Sequence, residues 1–158
     1  MGILAGLILV GVQINQNSDL TRAALFSQYQ DSWVSLDQSL QSENFAATKA
    51  KVLDTPNELT TAEMLEMHGY MFTFVDQLHR VDGLQKMGVF PADFRQSLVA
   101  AIQDGFGNSY ARAWWEVTKG GAAPEVVFLV DEVLAQMSAN SDLDNIRQIR
   151  EKIASQGT

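Results

Sequence analysis

The opening of the chain carries no charged side chain, and this feature constrains the fold more than any other. Residues 2–12 are apolar without interruption, and all 30 charged side chains, 11 basic and 19 acidic, lie from Asp19 onward. No proline or further glycine occurs between Gly11 and residue 40, so nothing there would break a helix. The sequence therefore predicts one long helix that begins apolar on all sides and becomes amphipathic.

Residues 1–17 are best explained as a membrane-anchor helix, although the apolar run is short. Eleven apolar residues span about 17 Å in a helix, and the hydrocarbon core of a bilayer is about 30 Å thick. Gly2 and Gly6 have the small-xxx-small spacing that lets two membrane helices approach closely. Either residues upstream or a neighbouring helix would supply the missing length. We therefore expect contact with membrane lipid and, through this helix, with other membrane protein subunits or a second copy.

A secretory signal, a myristoylation site and a buried helix of a soluble domain are the alternatives for the opening. A signal peptide needs basic residues before the apolar run and a small-x-small cleavage site after it, and both are missing. A myristoylation motif needs Ser or Thr where this chain has Gly6. A buried helix agrees with the length of the run and stays the alternative hypothesis.

The composition predicts one acidic folded domain in residues 18–158. A chain of 158 residues suffices for one domain with a hydrophobic core, and 46% hydrophobic residues argue against disorder. The net charge of −8 argues against nucleic acid as a partner, because nucleic-acid binding needs a basic surface. The absence of cysteine excludes disulfides, thiolate zinc sites and cysteine nucleophiles.

Hydrophobic spacing predicts an all-α fold, in which about five further helical segments follow the first helix and form a compact bundle. No run of alternating apolar and polar residues between turn signals indicates a strand. The amphipathic part of the first helix has apolar residues spaced three and four apart, which makes one face. These residues are Phe26, Tyr29, Trp33, Leu36 and Leu40.

Capping and breaking residues predict several helix ends. Thr60 and Glu63 have the spacing of a capping box, and Gly83 would end the helix that they start by taking a positive φ. Pro124 suits the first turn of a helix that is apolar on most sides and is expected at the centre of the bundle. Asp142 would cap the last helix. The residues of that helix expected to face the core are Leu143, Ile146, Ile149 and Ile153.

No catalytic constellation is recognisable, so we predict no enzymatic activity, no cofactor and no metal site. His68 and His79 are the two histidines, and they lie about 16 Å apart along one helix, too far to share a metal ion. Asp76 and His79 are i, i+3 neighbours, but a di-iron bundle needs a second carboxylate-x-x-histidine pair. The simplest interpretation is a surface pair. An enzyme using Asp76, His79 and Glu66 is the least favoured hypothesis.

The densest aromatic cluster is the candidate partner-binding site. Trp114 and Trp115 diverge by about 100° around a helix, so one is expected in the core and the other at the surface. Tryptophan and arginine are frequent anchors of interfaces, and tryptophan is enriched at the membrane boundary. Tyr110, Arg112, Trp114 and Trp115 are therefore the candidate partner contacts, with core packing as the alternative.

Two parts of the sequence resemble a diffuse group of uncharacterised bacterial proteins. Residues 13–17 read Gln-Ile-Asn-Gln-Asn, similar to the Q-I-R-Q-N-like segment that follows the single apolar helix of that group. Ala113-Trp114-Trp115-Glu116 and Pro124-Glu125 are similar to its W-W-E and P-E elements. Asn15 stands where the group usually has arginine. The resemblance implies one membrane span followed by an all-helical domain, and it implies no particular activity.

These observations predict a non-enzymatic, single-pass protein of the bacterial inner (cytoplasmic) membrane that acts as an accessory or interaction subunit of a membrane protein assembly. The helical domain is expected on the cytoplasmic side because Arg22 lies close to the apolar run, with the periplasmic side left open. The alternative is a soluble or peripheral helical binding module whose opening is a core helix.

Overall fold

The computed structural model of the protein describes residues 2–39, 41–90 and 94–156, and for residues 2–9, 11 and 39 it describes the backbone alone. The described residues form α-helices, two short 3₁₀ helices and no strand, which confirms the all-α prediction. Six α-helices follow the first one, compared with about five predicted. The α-helices are α1 (Gly2–Ser39), α2 (Glu43–Asp54), α3 (Thr61–Lys86), α4 (Phe94–Gly105), α5 (Ser109–Thr118), α6 (Pro124–Ala135) and α7 (Ser141–Gln156); the 3₁₀ helices are Pro56–Glu58 and Lys119–Gly121.

Helix α1 is continuous from Gly2 to Ser39, as the sequence predicts. Leu40, which is predicted on the apolar face of the first helix, lies outside the described residues. In the part of the chain that the structure describes, no helix is both long and apolar enough to cross a membrane. The structure thus confirms the long first helix but does not support a full span, because the apolar run ends at Val12 while the helix continues with polar residues.

A capping box starts α3, as predicted. The Thr60 hydroxyl accepts a hydrogen bond from the Glu63 N–H at 3.3 Å, and the Glu63 carboxylate accepts one from the Thr60 N–H at 2.7 Å. The predicted end of this helix at Gly83 is wrong, because α3 continues to Lys86. Glycine permits a positive φ without imposing one, and among the described residues Gly88 takes it instead, with a φ of 69°.

The core surrounds α3, and five helices contribute to it. Rings connect the second half of α1 to the core, since Trp33 meets Phe74 of α3 edge to face at 5.6 Å. Such pairs stabilise a core beyond their buried area. One buried residue of each contributing helix, in the order α1, α3, α4, α5 and α6, is Leu36, Leu78, Ile102, Trp115 and Val130.

Helices α1 and α2 both run opposite to α3. Ser32 of α1 donates a hydrogen bond to the side-chain oxygen of Gln77 in the second half of α3, at 2.8 Å. Lys51 near the end of α2 pairs with Glu63 near the start of α3, at 2.9 Å. The first half of α1 and the end of α2 therefore lie at opposite poles of the molecule.

Helix α6 is central on one side only. It begins at Pro124, as predicted, and buries Val126, Val130 and Val133. Phe128 points the other way and is exposed, because it lies two residues, about 200° around the helix, from both Val126 and Val130.

Helix α7 differs most from its prediction. Asp142 does not cap it, because α7 begins at Ser141 and the Asp142 N–H donates to the carbonyl oxygen of Gly107 at 3.0 Å. Ile149 and Ile153 do not face the core and are exposed. The reason is that α2, beside which α7 lies as far as Arg150, ends at Asp54.

Candidate functional site

The exposed apolar side chains of the folded body are concentrated between α3 and α5. Met64, Leu65 and Phe72 of α3 and Val117 of α5 are all exposed. Met64, Leu65 and Val117 line a surface groove of about 500 Å³, termed the α3–α5 groove. Its lining residues are Thr61, Met64, Leu65, His68, Tyr110, Ala113, Trp114, Val117 and Thr118.

Trp114 forms one wall of the groove and is held by His68. The indole Nε1 donates a hydrogen bond to His68 Nδ1 at 2.8 Å. Phe72 completes the cluster, with its ring edge to face against Trp114 at 5.1 Å and against His68 at 4.6 Å. Because Nδ1 accepts, His68 in this arrangement is neutral and carries its proton on Nε2. The shape of this wall therefore depends on a neutral histidine.

Tyr110 connects the two helices at the other end of the groove. Its hydroxyl donates to the carbonyl oxygen of Met64 at 3.0 Å, which links the first turn of α5 to the start of α3. Burial raises the pKa of the Tyr110 phenol, so the hydroxyl stays a neutral donor near pH 7. This bond sets the separation of the two helices and hence the width of the groove.

No charged side chain is among the described residues that line the groove. Glu63 is close in sequence, but its carboxylate is held by the Thr60 N–H and by the Lys51 ammonium at 2.9 Å. These contacts lower the pKa of Glu63 to about 2, and the hydrogen bond from the Thr60 backbone has the largest effect. The groove thus offers an apolar surface with a few hydroxyl groups at its edge, which suits the apolar face of a helix.

The four predicted partner contacts separate into two pairs. Tyr110 and Trp114 line the groove, whereas Arg112 donates to three backbone carbonyl oxygens at and just beyond the end of α6, at 2.9 to 3.3 Å. Trp115 is buried and donates to the Asp131 carboxylate at 2.8 Å. Both tryptophans are buried, so the expectation that one lies on the surface is wrong. Partner contact stays a prediction for Tyr110 and Trp114.

The residues of the enzyme hypothesis all have structural partners. His79 accepts a hydrogen bond from the Ala123 N–H at 3.1 Å, and its other ring nitrogen lies 3.9 Å from the Asp76 carboxylate, which confirms the predicted pair. Glu66 accepts from the Thr48 hydroxyl at 2.7 Å. Within residues 2–39, 41–90 and 94–156, no group of three or more His, Asp or Glu side chains is placed to hold a metal ion.

The first half of α1 is a second apolar surface. Val10, Val12 and Ile14 are exposed, and Val10 and Val12 point about 200° apart around the helix. The apolar side chains therefore face more than one direction. Gly2 and Gly6 lie one turn apart in α1, where the structure describes the backbone alone, so their role in helix packing stays a prediction.

Sequence spacing alone does not identify the α3 side of the groove. Met64 belongs by spacing to the apolar face of α3, yet it is exposed because no described helix covers that end of the face. Leu65 and Phe72 interrupt the otherwise polar side of α3, and both are exposed. Apolar residues off the core face are the signal that would have indicated this site.

The comparisons with known proteins leave the geometry as the only guide to function. No protein-family model, curated protein or solved structure matches the chain. The function is therefore inferred from the two apolar surfaces.

Proposed function

We propose that this protein is a non-enzymatic interaction subunit anchored to a membrane. The first half of α1 would lie in lipid, and the folded body would bind a helix of a partner subunit in the α3–α5 groove. The folded body would lie on the cytoplasmic side of a bacterial inner membrane. The observation that carries the proposal is that the described apolar side chains near the start of α1, Val10, Val12 and Ile14, are exposed.

The directions of the exposed side chains favour lipid over a single protein partner. A helix that packs on one neighbour needs one apolar face, but Val10 and Val12 face nearly opposite sides of α1 and are both exposed. Lipid surrounds a helix on all sides. Moving a half-exposed aliphatic side chain of this size out of water is worth about 1 kcal/mol. The polar, uncharged residues 13–18 suit the headgroup region.

The short apolar run has a consequence for how α1 would sit in the membrane. Its length of about 17 Å is little more than half of the hydrocarbon core. In the proposal, α1 packs against another membrane helix at Gly2 and Gly6, where the lack of side chains allows close approach. That neighbour is a partner subunit or a second copy of the chain.

The α3–α5 groove sets the chemistry of the helix that the folded body would bind. From Thr61 to His68 the groove side of α3 extends over two turns, about 10 Å. A partner helix with apolar residues at i, i+4 and i+7 has the matching length and face. Because no charged side chain lines the described groove, the bound face must be uncharged to avoid burying an unpaired charge.

Cell fractionation of the full-length protein tests the anchor. We expect the chain in the membrane pellet, resistant to high salt and released by detergent, and we expect a variant lacking residues 1–17 in the supernatant. A pull-down from the detergent extract should then recover a stoichiometric membrane partner, and Tyr110→Ala should weaken its recovery. Full-length chain that stays soluble and monomeric without detergent would contradict the proposal.

The second candidate function is a soluble or peripheral helical binding module that uses the same groove. It is favoured by the finding that the described helices include none able to cross a membrane. The fractionation separates the two candidates, because a soluble chain whose partner recovery still depends on Tyr110 would support the module and exclude the anchor.

A further inference from the structure

We propose that the second half of α7 is a separate docking surface, and that its partner is an amphipathic helix of another protein whose apolar seam is flanked by acidic side chains. The inference is independent of the membrane proposal, because the second half of α7 begins beside the end of α2, at the pole opposite the first half of α1. The surface consists of Ile149, Arg150, Lys152 and Ile153 and is termed the α7 seam.

Helix α7 is attached to the rest of the protein mainly at its start. None of its 16 residues is buried. The Asp142 N–H donates to the Gly107 carbonyl oxygen at 3.0 Å, and the Asn108 side chain donates to the Asp142 carboxylate at 3.3 Å. A helix of about 12–15 residues is only marginally stable on its own in water. The second half of α7 therefore lacks the packing that stabilises the other helices.

The apolar residues of α7 form a coiled-coil seam that α2 covers only in part. Ile146, Ile149 and Ile153 are spaced three and four residues apart, as positions a, d and a of a heptad. Ile146 is half-buried and lines two small cavities together with Leu53 of α2. Ile149 and Ile153 are 58% and 65% exposed, since they extend past the end of α2 at Asp54. One seam position is thus covered and the next two are free.

The charges beside the free positions select the partner. Arg150 and Lys152 occupy the e and g positions that flank the seam, and neither makes an ion pair with the described residues. Residues 149–156, the second half of α7, contain two cations and one anion, a net charge of +1, while the whole chain has −8, so the remainder has −9. The α7 seam is a basic surface on an acidic protein.

This charge pattern disfavours the other occupants. Two copies paired through their α7 seams would bring Arg150 and Lys152 against like charges, which destabilises a coiled coil. Anionic lipid would attract the cations, but helices that lie on lipid present a broad apolar face. The free seam here is a narrow stripe of two isoleucines, one turn apart. A narrow a/d seam with basic e and g positions matches a partner helix that has Leu or Ile at its a and d positions and Glu at its e and g positions.

Binding of two synthetic helices to the full-length protein tests the inference. Both peptides carry Leu and Ile at a and d, and they differ only in having Glu or Lys at e and g. We expect the Glu peptide to bind at least about tenfold more tightly, a difference of about 1.4 kcal/mol, and to lose affinity as salt is raised. Arg150→Glu combined with Lys152→Glu should reverse the preference.

A matched pair of surface variants distinguishes binding at the α7 seam from nonspecific binding to exposed apolar side chains. Ile149→Ser with Ile153→Ser should lower the affinity for the Glu peptide at least about tenfold, whereas Phe128→Ser, on the exposed side of α6, should leave it unchanged. Equal binding of the two peptides, or an equal loss with Phe128→Ser, would overturn the proposal. Binding to anionic but not zwitterionic vesicles, without binding to the Glu peptide, would also overturn it and assign the surface to lipid.

Discussion

Replacing Val10 and Val12 by aspartate tests the proposed anchor most directly. The two side chains are 51% and 48% exposed, so each contacts whatever surrounds α1. At the centre of a bilayer, an aspartate costs about 3 kcal/mol more than a valine. Because Val10 lies only about 4.5 Å along the helix from Gln13, we take half of that cost, about 1.5 kcal/mol. Val10→Asp should therefore lower membrane partitioning about tenfold, and adding Val12→Asp, next to Gln13, should lower it further.

Flotation of the full-length protein with lipid vesicles measures this partitioning, and the chain provides its own control. Val34 is on the same helix and is 52% exposed, but it lies beside the folded body. Val34→Asp should float like the unaltered protein. The reasoning is refuted if the double variant also floats like the unaltered protein, or if Val34→Asp loses as much binding.

Three further predictions concern stability and the groove. The pKa of Glu63 is lowered to about 2 from an ordinary value of 4.5, so its stabilisation is present above pH 4.5 and is lost toward about pH 2; Glu63→Gln should remove this acid-dependent shift of the urea midpoint. Gly105→Ala places a methyl group 2.6 Å from Cζ of the buried Phe74 and should cost about 1–3 kcal/mol, measured by urea unfolding. His68→Leu removes the acceptor of the Trp114 N–H and should cost about 1 kcal/mol, measured by urea unfolding, with a change in tryptophan fluorescence.

Each of these predictions has a matched control. Glu58→Gln removes an exposed carboxylate near the same helix start and should keep the acid-dependent shift. Gly69→Ala adds a methyl group with no atom within 4 Å and should be neutral or stabilising, as alanine favours a helix over glycine. His68→Gln, whose side-chain oxygen can accept the same hydrogen bond, should retain more stability than His68→Leu. His68→Leu without cost, or Gly105→Ala without cost, would show that the geometry around Trp114 or Phe74 is misassigned.

Helix boundaries were largely predictable because they depend on neighbours within a few residues. The capping box of Thr60 and Glu63 and the helix start at Pro124 need only local spacing. The cap of α5 is equally local, because the Asn108 side chain accepts from the Ala111 N–H, three residues on, at 2.9 Å. Gly83 failed as a helix end, because glycine allows a turn but does not require one.

Exposure was less predictable because it depends on residues far away in the chain. Periodicity placed Ile149 and Ile153 in the core, but a face is buried only if another helix reaches it, and α2 ends at Asp54. For the same reason, the sequence predicted only the α5 side of the candidate site. Tyr110 and Trp114 stand out in the sequence as aromatic residues, whereas Met64 and Leu65 look ordinary until α5 is placed beside them.

The sequence by itself determined the all-helical class, the unbroken first helix and its uncharged opening, because backbone hydrogen bonds join residues four apart and charge is a property of each residue. Only the tertiary structure decided that Arg112 binds carbonyl oxygens beyond the end of α6 and that Trp115 binds Asp131 of α6. It also decided that α3 and α5 leave a groove between them and that α7 extends beyond α2. The physical reason is that burial is set by which helices meet and where each one ends, and these distances are fixed by the packing of the whole core.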